Sequence, residues 1–409
     1  MAGYFDALEQ RSADQRAADL ARDLPGLVAG AKAKAPALAA MLAEAEPQTI
    51  TDRAALAGLP VIRKSALSAA QGETPPFGGY TARAASDFDH VFQSPGPIYE
   101  PGQTSPDWWR MGRFLHAAGI GSDDIVQNCF SYHMTPAGMM FENGARAVGA
   151  TVFPAGTGQT ELQVRAAHDL GVSAYAGTPD YLKAILDKAD EMGVTLSLKR
   201  AAVSGGALFP AMREGYGARG ITCLQCYATA DLGNIAYESA AMDGMIVDEG
   251  ALVEIVTPGT GDPVSDGDVG EVVVTVLNPD YPLIRFATGD LSAVLPGQSP
   301  CGRTNMRIKG WMGRADQTTK VKGMFVRPEQ VADLVARHAD VSRARVVVTR
   351  AEDRDVLEVQ LESDAVGADV APYEASVRDV LKLSGRVQLV RQGSLPNDGK
   401  VIDDQRSYD

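Results

Sequence analysis

The 409-residue sequence has few cysteines and few histidines. Its four cysteines are too few for a disulfide framework. Cys223 and Cys226 form one C-x-x-C pair, but they lie in ITCLQCY, an apolar run typical of a short buried strand. Side chains three positions apart on a strand point to opposite faces, which is poor geometry for a shared metal. Because Cys129, Cys301 and the five histidines are scattered, the spacing predicts no zinc site.

Positive charge and long hydrophobic runs are also scarce. The chain has 38 Lys and Arg against 52 Asp and Glu, a formal net charge of −14, which argues against a general nucleic-acid-binding or membrane-surface protein. No run approaches the roughly 20 apolar residues of a membrane span. The N-terminus shows no secretion signal, so we expect a cytoplasmic protein. The negative net charge does not exclude binding of an anionic small ligand, because glycine loops and helix N-termini bind phosphate locally.

The order of apolar runs predicts an α/β fold. The first seventy or so residues are rich in Ala, Leu and Arg and predict helices. From about residue 87, short apolar runs such as DIVQNCF alternate with amphipathic stretches that often end on glycine, which suits a helix C-cap. This alternation is typical of βαβ units and a mainly parallel sheet. From about residue 234 the helices stop, and Gly- and Pro-punctuated runs predict a β-rich subdomain.

A polar, glycine-bearing segment, GWMGRAD, has the composition of an interdomain hinge. We therefore expect a large N-terminal domain over residues 1–313 and a small α+β C-terminal domain over residues 314–409.

Three short segments in the second half could carry chemistry. FATGDLS places Asp290 on a turn, where its carboxylate could accept hydrogen bonds from two ribose hydroxyls. The alternative is a simple Asx-turn. GWMGRADQTTKVKG could equally be a solvated basic hairpin, and Lys400 in PNDGKVIDD could be a solvated tail residue.

Together, in this order and spacing, these segments resemble the adenylate-forming ligases, most closely the phenylacetate–CoA ligase-like branch. The resemblance extends from about residue 87 to residue 406 and is most specific in the second half. Its motifs include VSGGALFP, QCYATADLG, FATGDLS, GWMGRADQTTKVKGMFVRPEQV and SLPNDGKVID. It implies an enzyme that makes an acyl-AMP from a carboxylic acid and ATP and then an acyl-CoA, with ATP, Mg²⁺ and coenzyme A as cofactors.

The resemblance also implies roles for particular residues. The positions that match the nucleotide site are Gly205, Gly206, Ala207, Tyr227, Ala228, Asp290 and Arg314. Tyr227 would stack on adenine and Asp290 would bind the ribose. Asp231 would help to hold Mg²⁺, as a hard oxygen ligand one methylene shorter than the family's Glu. Lys400 would stabilise the negative charge of adenylation. Asp316 would be the hinge of a domain rotation, and Gly323 would line the path of the pantetheine arm.

The phosphate loop departs from the family pattern. The stretch SPGPIYEP keeps Ser94 and Gly96 in register, but Glu100 stands where the family has a lysine. The prolines remove amide donors, and a carboxylate facing triphosphate would repel it. We therefore expect either that other groups hold the pyrophosphate or that this loop grips ATP poorly.

Ala230 and the positions that match a zinc site also depart from the family pattern. Ala230 replaces the Ser or Thr that usually precedes the acidic residue. Close relatives carry a Cys/His zinc site in the β-region, where only one cysteine survives here, so we expect no structural zinc. The matching positions are Tyr237, Ser239, Ile246, Ser299 and Cys301.

By the same resemblance, the acyl group would lie near Tyr132, His133 and Phe141. Helix core is the alternative for Phe141, and a satisfied buried imidazole is the alternative for His133. A lining of aromatic residues and Met140 favours an aryl or short-chain acid. Two other functions stay open: an adenylate-forming ligase with a non-CoA acceptor, and a non-catalytic protein that binds a nucleotide or acyl-CoA. Because such ligases are often dimers, a homodimer also stays open.

Overall fold

The computed structural model describes residues 3–206, 208–312, 315, 319–326, 328–351, 354–396 and 401–406. The chain divides into two compact units, Met1–Gly313 and Arg314–Asp409. Within the described residues, no helix is both long enough and apolar enough to cross a membrane.

The first unit begins with a helical segment that packs on the sheet. Ser12 and Gln15 form a reciprocal capping box at the start of the first helix, which satisfies amide donors that the helix leaves free. Buried leucines of this segment share a hydrophobic core with valines of the antiparallel strands. The elements are α1 (Ala13–Lys34), α2 (Pro36–Met41), α3 (Arg53–Ala57), β1 (Ile62–Arg63) and α4 (Lys64–Glu73).

The predicted phosphate loop is a β-hairpin. Its strands are β2 (His90–Ser94) and β3 (Ile98–Gly102), paired so that Ser94 faces Ile98 and Phe92 faces Glu100. Because side chains alternate along a strand, these four residues share one face, and all four are buried. The tip over residues 95–97 is exposed.

The predicted βαβ region forms a parallel sheet with helices on both faces, in the strand order β5-β4-β6-β7-β8. Helices α5 and α6 cover one face, and α7, α8 and α9 cover the other. Cys223 and Cys226 lie in the cores on opposite faces, as their spacing predicts. The elements are α5 (Met111–Ala117), β4 (Ile125–Asn128), α6 (Ala137–Ala147), β5 (Thr151–Phe153), α7 (Thr160–Asp169), β6 (Ala174–Gly177), α8 (Pro179–Glu191), β7 (Arg200–Val203), α9 (Pro210–Ala218) and β8 (Thr222–Thr229).

The β-rich region continues the same sheet. Strand β8 pairs in parallel with β7 and antiparallel with the next strand, so it joins the parallel and antiparallel halves. The sequence predicts these strands but not their continuity with the parallel sheet. The elements are β9 (Gly233–Tyr237), β10 (Met245–Val247), β11 (Ala251–Val256), β12 (Val269–Val276), β13 (Phe286–Leu295) and β14 (Arg307–Ile308).

The second unit has the α+β composition that its sequence predicts. A four-stranded sheet in the order β19-β18-β17-β20 shares a core with two helices, and a short hairpin precedes it. The elements are β15 (Thr319–Val321), β16 (Met324–Val326), α10 (Pro328–Arg337), β17 (Val341–Ala351), β18 (Arg354–Ser363), α11 (Ala371–Leu381), β19 (Arg386–Val390) and β20 (Ile402–Asp404).

Candidate active site

Tyr227 and Asp290, which the sequence assigns to one nucleotide site, lie side by side. The Tyr227 hydroxyl donates a hydrogen bond of 2.8 Å to Oδ2 of Asp290. The indole Nε1 of Trp311 donates to Oδ1 of the same carboxylate at 3.0 Å. Strands β8 and β13 therefore bring an aromatic ring and an acidic acceptor to one place. Sequence reasoning did not single out Trp311, although it lies within the predicted hinge segment GWMGRAD.

Asp231 lies in the tight turn between β8 and β9. The turn requires Gly233, which has a φ of +73° and where a Cβ would lie 2.7 Å from the Trp109 carbonyl oxygen. The Asp231 side chain is fully buried, and its Oδ2 is 2.8 Å from the ammonium of Lys64. Its Oδ1 has no hydrogen-bond partner among the described residues. Sequence reasoning also missed Lys64, the first residue of α4.

Glu100 is completely buried on the inner face of the hairpin. One carboxyl oxygen accepts a hydrogen bond from the Ser94 hydroxyl, and the other has no partner in the described part of the chain. Burial, reinforced by the nearby Asp231 charge, raises the pKa of Glu100 to about 8. The expected charge repulsion between this side chain and triphosphate therefore does not follow from the geometry, because the carboxyl points into the protein interior.

Replacing Glu100 by glutamine is expected to stabilise the protein increasingly as pH rises from 5 to 8. The folded chain holds the Glu100 proton up to about pH 8, whereas the unfolded chain releases it near pH 4.5. The folded state therefore binds more protons in this window, so the free energy of unfolding falls as pH rises, and glutamine removes this fall. Urea unfolding of both proteins at pH 5, 6.5, 8 and 9 measures the difference.

Glu161→Gln is the matched control for this experiment. Glu161 is exposed on α7, and its hydrogen bond with Arg165 lowers its pKa, so its substitution should add no pH trend above pH 5. A difference between Glu100→Gln and the native chain that stays constant across pH would contradict the prediction.

The other sequence-predicted nucleotide residues are only partly described. Gly205 and Gly206 follow β7 in an exposed turn, and Gly205 has a φ of +71°. Ala228 is half-buried on β8, beside Tyr227. Ala207, Arg314, Asp316 and Lys400 lie outside the described residues. The described residues thus provide the hydrogen-bonded carboxylate of Asp290, the aromatic ring of Tyr227 and the buried Oδ1 of Asp231, which has no hydrogen-bond partner among them. This donor set suits a nucleotide and a hard cation.

The chain is similar in sequence to curated proteins. No protein-family model matches the chain. Curated phenylacetate–coenzyme A ligases from Thermus thermophilus and Aromatoleum evansii are 30% identical over 265 and 268 residues, or 62% and 63% of this chain. The ligase from Escherichia coli is 28% identical over 328 residues, 73% of each chain. The chain is therefore similar in sequence to the phenylacetate–CoA ligases. It spans about three fifths of the length of the first two.

Solved structures support the same fold. The structure of 2-hydroxyisobutyryl-CoA ligase with 2-HIB-AMP and CoA matches 98% of this chain and 92% of its own, with a TM-score of 0.79 and 24% identity. The amide bond synthetase McbA from Marinactinospora thermotolerans matches 76% of this chain and 67% of its own, with a TM-score of 0.51 and 19% identity. The chain therefore shares the fold of these two enzymes.

The residues that the sequence assigns to an acyl pocket differ in their exposure. Phe141 lies in the core, where it stacks on Phe130 at a centroid distance of 4.3 Å. His133 is exposed, and the half-buried Tyr132 accepts a 2.8 Å hydrogen bond from Asn128. The aromatic ring that adjoins Gly205 is Phe130, 3.7 Å from the position of a Cβ there, and sequence reasoning did not single it out.

The five positions that match a family zinc site do come together. Tyr237 pairs with Ile246, and Ser299 donates to the Cys301 sulfur at 3.1 Å. Hydrogen bonds from Ser239, Ser299 and Arg303 outweigh burial and lower the pKa of Cys301. No group of three or more His, Cys, Asp or Glu side chains suited to a metal occurs within the described ranges.

A buried ion pair occupies this part of the fold. Glu9 accepts hydrogen bonds from Arg303 at 2.5 Å and from the Tyr237 hydroxyl at 2.7 Å. Because Glu9 comes from the N-terminal segment, this pair ties that segment to the antiparallel strands, as a bound metal would tie its ligands.

Gly323 lies in the second unit, at the turn of the β15–β16 hairpin. Lys322 and Gly323 both have positive φ values, +47° and +85°, as the two central residues of a type I′ turn require. The basic hairpin of the sequence prediction is therefore present, and Gly323 is exposed at its tip.

Proposed function

We propose that this chain is an ATP-dependent carboxylate–CoA ligase that forms an acyl-AMP and then an acyl-CoA, on an aryl or short-chain acid. The observation that carries the proposal is the 2.8 Å contact between Tyr227 and Asp290. It supports a single nucleotide site in which the ring meets the base and the carboxylate accepts hydrogen bonds from ribose hydroxyls. The curated relatives are named as ligases of phenylacetate and coenzyme A.

In this proposal the acid's carboxylate oxygen attacks the α-phosphorus of ATP, and pyrophosphate leaves. The thiol sulfur of coenzyme A then attacks the acyl carbon, and AMP leaves. Asp231 would hold Mg²⁺, which neutralises phosphate charge when bound. The remaining nucleotide contacts are assigned to Gly205, Gly206, Ala207, Ala228 and Arg314.

Three residues of the second unit complete the assignment. Lys400 would stabilise the charge that develops during adenylation, Asp316 would be the hinge, and Gly323 would line the pantetheine path. We propose the first unit as the adenylate- and acyl-binding domain and the second as the mobile domain. The cytoplasm, which supplies ATP and coenzyme A, is the proposed compartment, and a homodimer is the proposed assembly.

Release of AMP and pyrophosphate tests the proposal. With a panel of aryl and short-chain acids, both products should appear only when the right acid is present, and acyl-CoA should form only when CoA is added. Asp290→Asn should lose most of this activity, because one acceptor oxygen becomes a donor. Asp187→Asn, an exposed substitution on α8, should keep it. No product with any acid would contradict the proposal.

One structural feature favours a second function. Glu100 is buried where the family has a lysine, so the hairpin lacks that cation. A protein that binds ATP or AMP without turnover would show heat of nucleotide binding in calorimetry but no pyrophosphate with any acid. A ligase with a non-CoA acceptor would instead release pyrophosphate with the acid and yield an amide or ester in product mass analysis.

A further inference from the structure

The hairpin that replaces the phosphate loop has few cationic groups and few N–H donors that could bind a triphosphate. Its thirteen residues, 90–102, include no lysine or arginine. The exposed tip contains Pro95 and Pro97, which have no backbone N–H. Glu100 is directed into the interior with Phe92 and Ser94. If the chain uses ATP, a cation from another element must neutralise the phosphates.

Helix α4 brings a lysine to this hairpin. Gln71 of α4 is buried and makes two 2.8 Å hydrogen bonds with the backbone of Tyr99, one to its carbonyl oxygen and one from its N–H. Lys64 begins the same helix, and its ammonium lies 2.8 Å from Asp231. The helix therefore fixes Lys64 relative to both the hairpin and the β8–β9 turn.

The groups around Lys64 form a partly satisfied polar cluster. Glu100 Oε2, Asp231 Oδ1 and the Tyr281 hydroxyl are buried and have no hydrogen-bond partner within the described ranges. Lys64 is also near Glu100, because its charge lowers the pKa of that carboxyl against the larger effect of burial. Unpaired buried polar groups are costly, so such a cluster requires a bound water, ion or ligand to complete it.

The ammonium differs from the carboxylates in its access to solvent. The Lys64 side chain is 37% exposed, whereas that of Asp231 is fully buried. A ligand that arrives from solvent can therefore reach the ammonium without displacing the core. A cation on Asp231 would compete with Lys64 for the carboxylate and displace the ammonium from it.

We propose that Lys64 is the cation that contacts the nucleotide phosphates in this chain, in place of the family lysine at position 100. When magnesium and a nucleoside triphosphate bind, Asp231 holds the metal and the Lys64 ammonium turns to the phosphates. This inference rests on the proposed function, because it assigns a phosphate ligand within the same nucleotide site.

Nucleotide binding by Lys64→Gln is the first test. Glutamine can still donate a hydrogen bond to Asp231 but carries no charge. A hydrogen bond to a charged group contributes about 1.5–3 kcal/mol, so the Kd for MgATP should rise about tenfold or more. The Kd for AMP should change less than about twofold, because AMP lacks the β- and γ-phosphates. Lys64→Arg should retain most of the affinity for MgATP, and calorimetry measures all three proteins.

Chemical labelling provides a second test on the native chain and does not depend on the folding of a variant. MgATP, but not AMP, should protect Lys64 from acetylation by acetic anhydride, as peptide mass spectrometry would show. Lys183 is exposed on α8 and serves as the control lysine, with labelling that neither nucleotide changes.

Each contrary result has a distinct meaning. Equal weakening of MgATP and AMP by Lys64→Gln would assign Lys64 a purely structural role and overturn the inference. Unchanged MgATP affinity, or no protection of Lys64, would overturn it as well. In either case the proposed function stands if the native chain still releases pyrophosphate. A native chain that binds neither nucleotide would overturn both.

Discussion

Lys400→Ala is expected to lower the rate of acyl-AMP formation by at least about a hundredfold. The proposed role of Lys400 is to stabilise negative charge as the carboxylate attacks the α-phosphorus, and loss of one such group typically lowers kcat by 10²–10³. Thioester formation from a supplied acyl-AMP should change by less than about threefold, because that charge is absent from the second step. Pyrophosphate release and acyl-CoA formation are measured separately.

Lys382→Ala is the matched control for this experiment. Lys382 belongs to the same unit, its side chain is 65% exposed, and its ion pair with Asp379 lies on the surface. Both half-reactions should be unchanged in this variant. Equal loss of both half-reactions in Lys400→Ala would show that Lys400 serves another purpose.

The proposed roles of Lys64 and Lys400 predict different kinetic effects when each lysine is lost. Loss of Lys64 should appear mainly in the affinity for MgATP, because its proposed contact forms on binding. Loss of Lys400 should appear mainly in the rate of adenylation, because its proposed contact strengthens in the transition state. Variants with the opposite pattern would require the two roles to be exchanged.

Local patterns predict much of this fold. The alternation of apolar runs and glycine-capped helices predicts the parallel sheet, and the period of a strand places Cys223 and Cys226 on opposite faces. The continuity of the sheet through β8 is not predictable in this way. Strand β8 has a parallel neighbour on one edge and an antiparallel neighbour on the other. Local sequence patterns do not predict which strands pair.

The site is predictable only where a motif marks it. Tyr227 and Asp290 stand in recognisable segments, so their proximity can be expected from the family resemblance. Lys64 starts an ordinary amphipathic helix and meets Asp231 across 167 positions of sequence, so no spacing could reveal it. The sequence leaves the direction of the Glu100 side chain open. As a hairpin, the segment alternates its side chains and turns Glu100 inward.

Arg285 connects Asp290's strand to distant parts of the first unit. Its guanidinium is buried and donates to Glu254 at 3.0 and 3.1 Å. It also donates to the backbone carbonyls of Ala57, Leu59 and Gly261. The residue has a φ of +52°, an uncommon conformation for a non-glycine residue. One side chain thus satisfies carbonyls from two separate segments, at residues 57–59 and at Gly261.

Arg285→Met is therefore expected to lower the free energy of unfolding of the first unit by about 3–5 kcal/mol, because it leaves a buried carboxylate without its partner. Burial raises the pKa of Glu254 and Arg285 opposes that shift, so the pKa should rise further in the variant. A raised pKa means that the folded state loses stability as pH increases, so the defect should be larger at pH 8 than at pH 5. Urea unfolding at both values measures it.

Arg22→Met is the control for the loss of a guanidinium. Arg22 pairs with Asp19 and Asp23 on the surface, where ion pairs contribute little, so its unfolding free energy should change by less than about 1 kcal/mol. If Arg285→Met lowered the free energy of unfolding no more than Arg22→Met does at both pH values, the prediction that the buried Arg285 contacts stabilise the first unit would be wrong. Because Arg285 immediately precedes β13, which carries Asp290, Arg285→Met should also lose nucleotide binding at a lower urea concentration than the native chain. Arg285 would then hold the strand that presents the ribose acceptor without contacting the nucleotide itself.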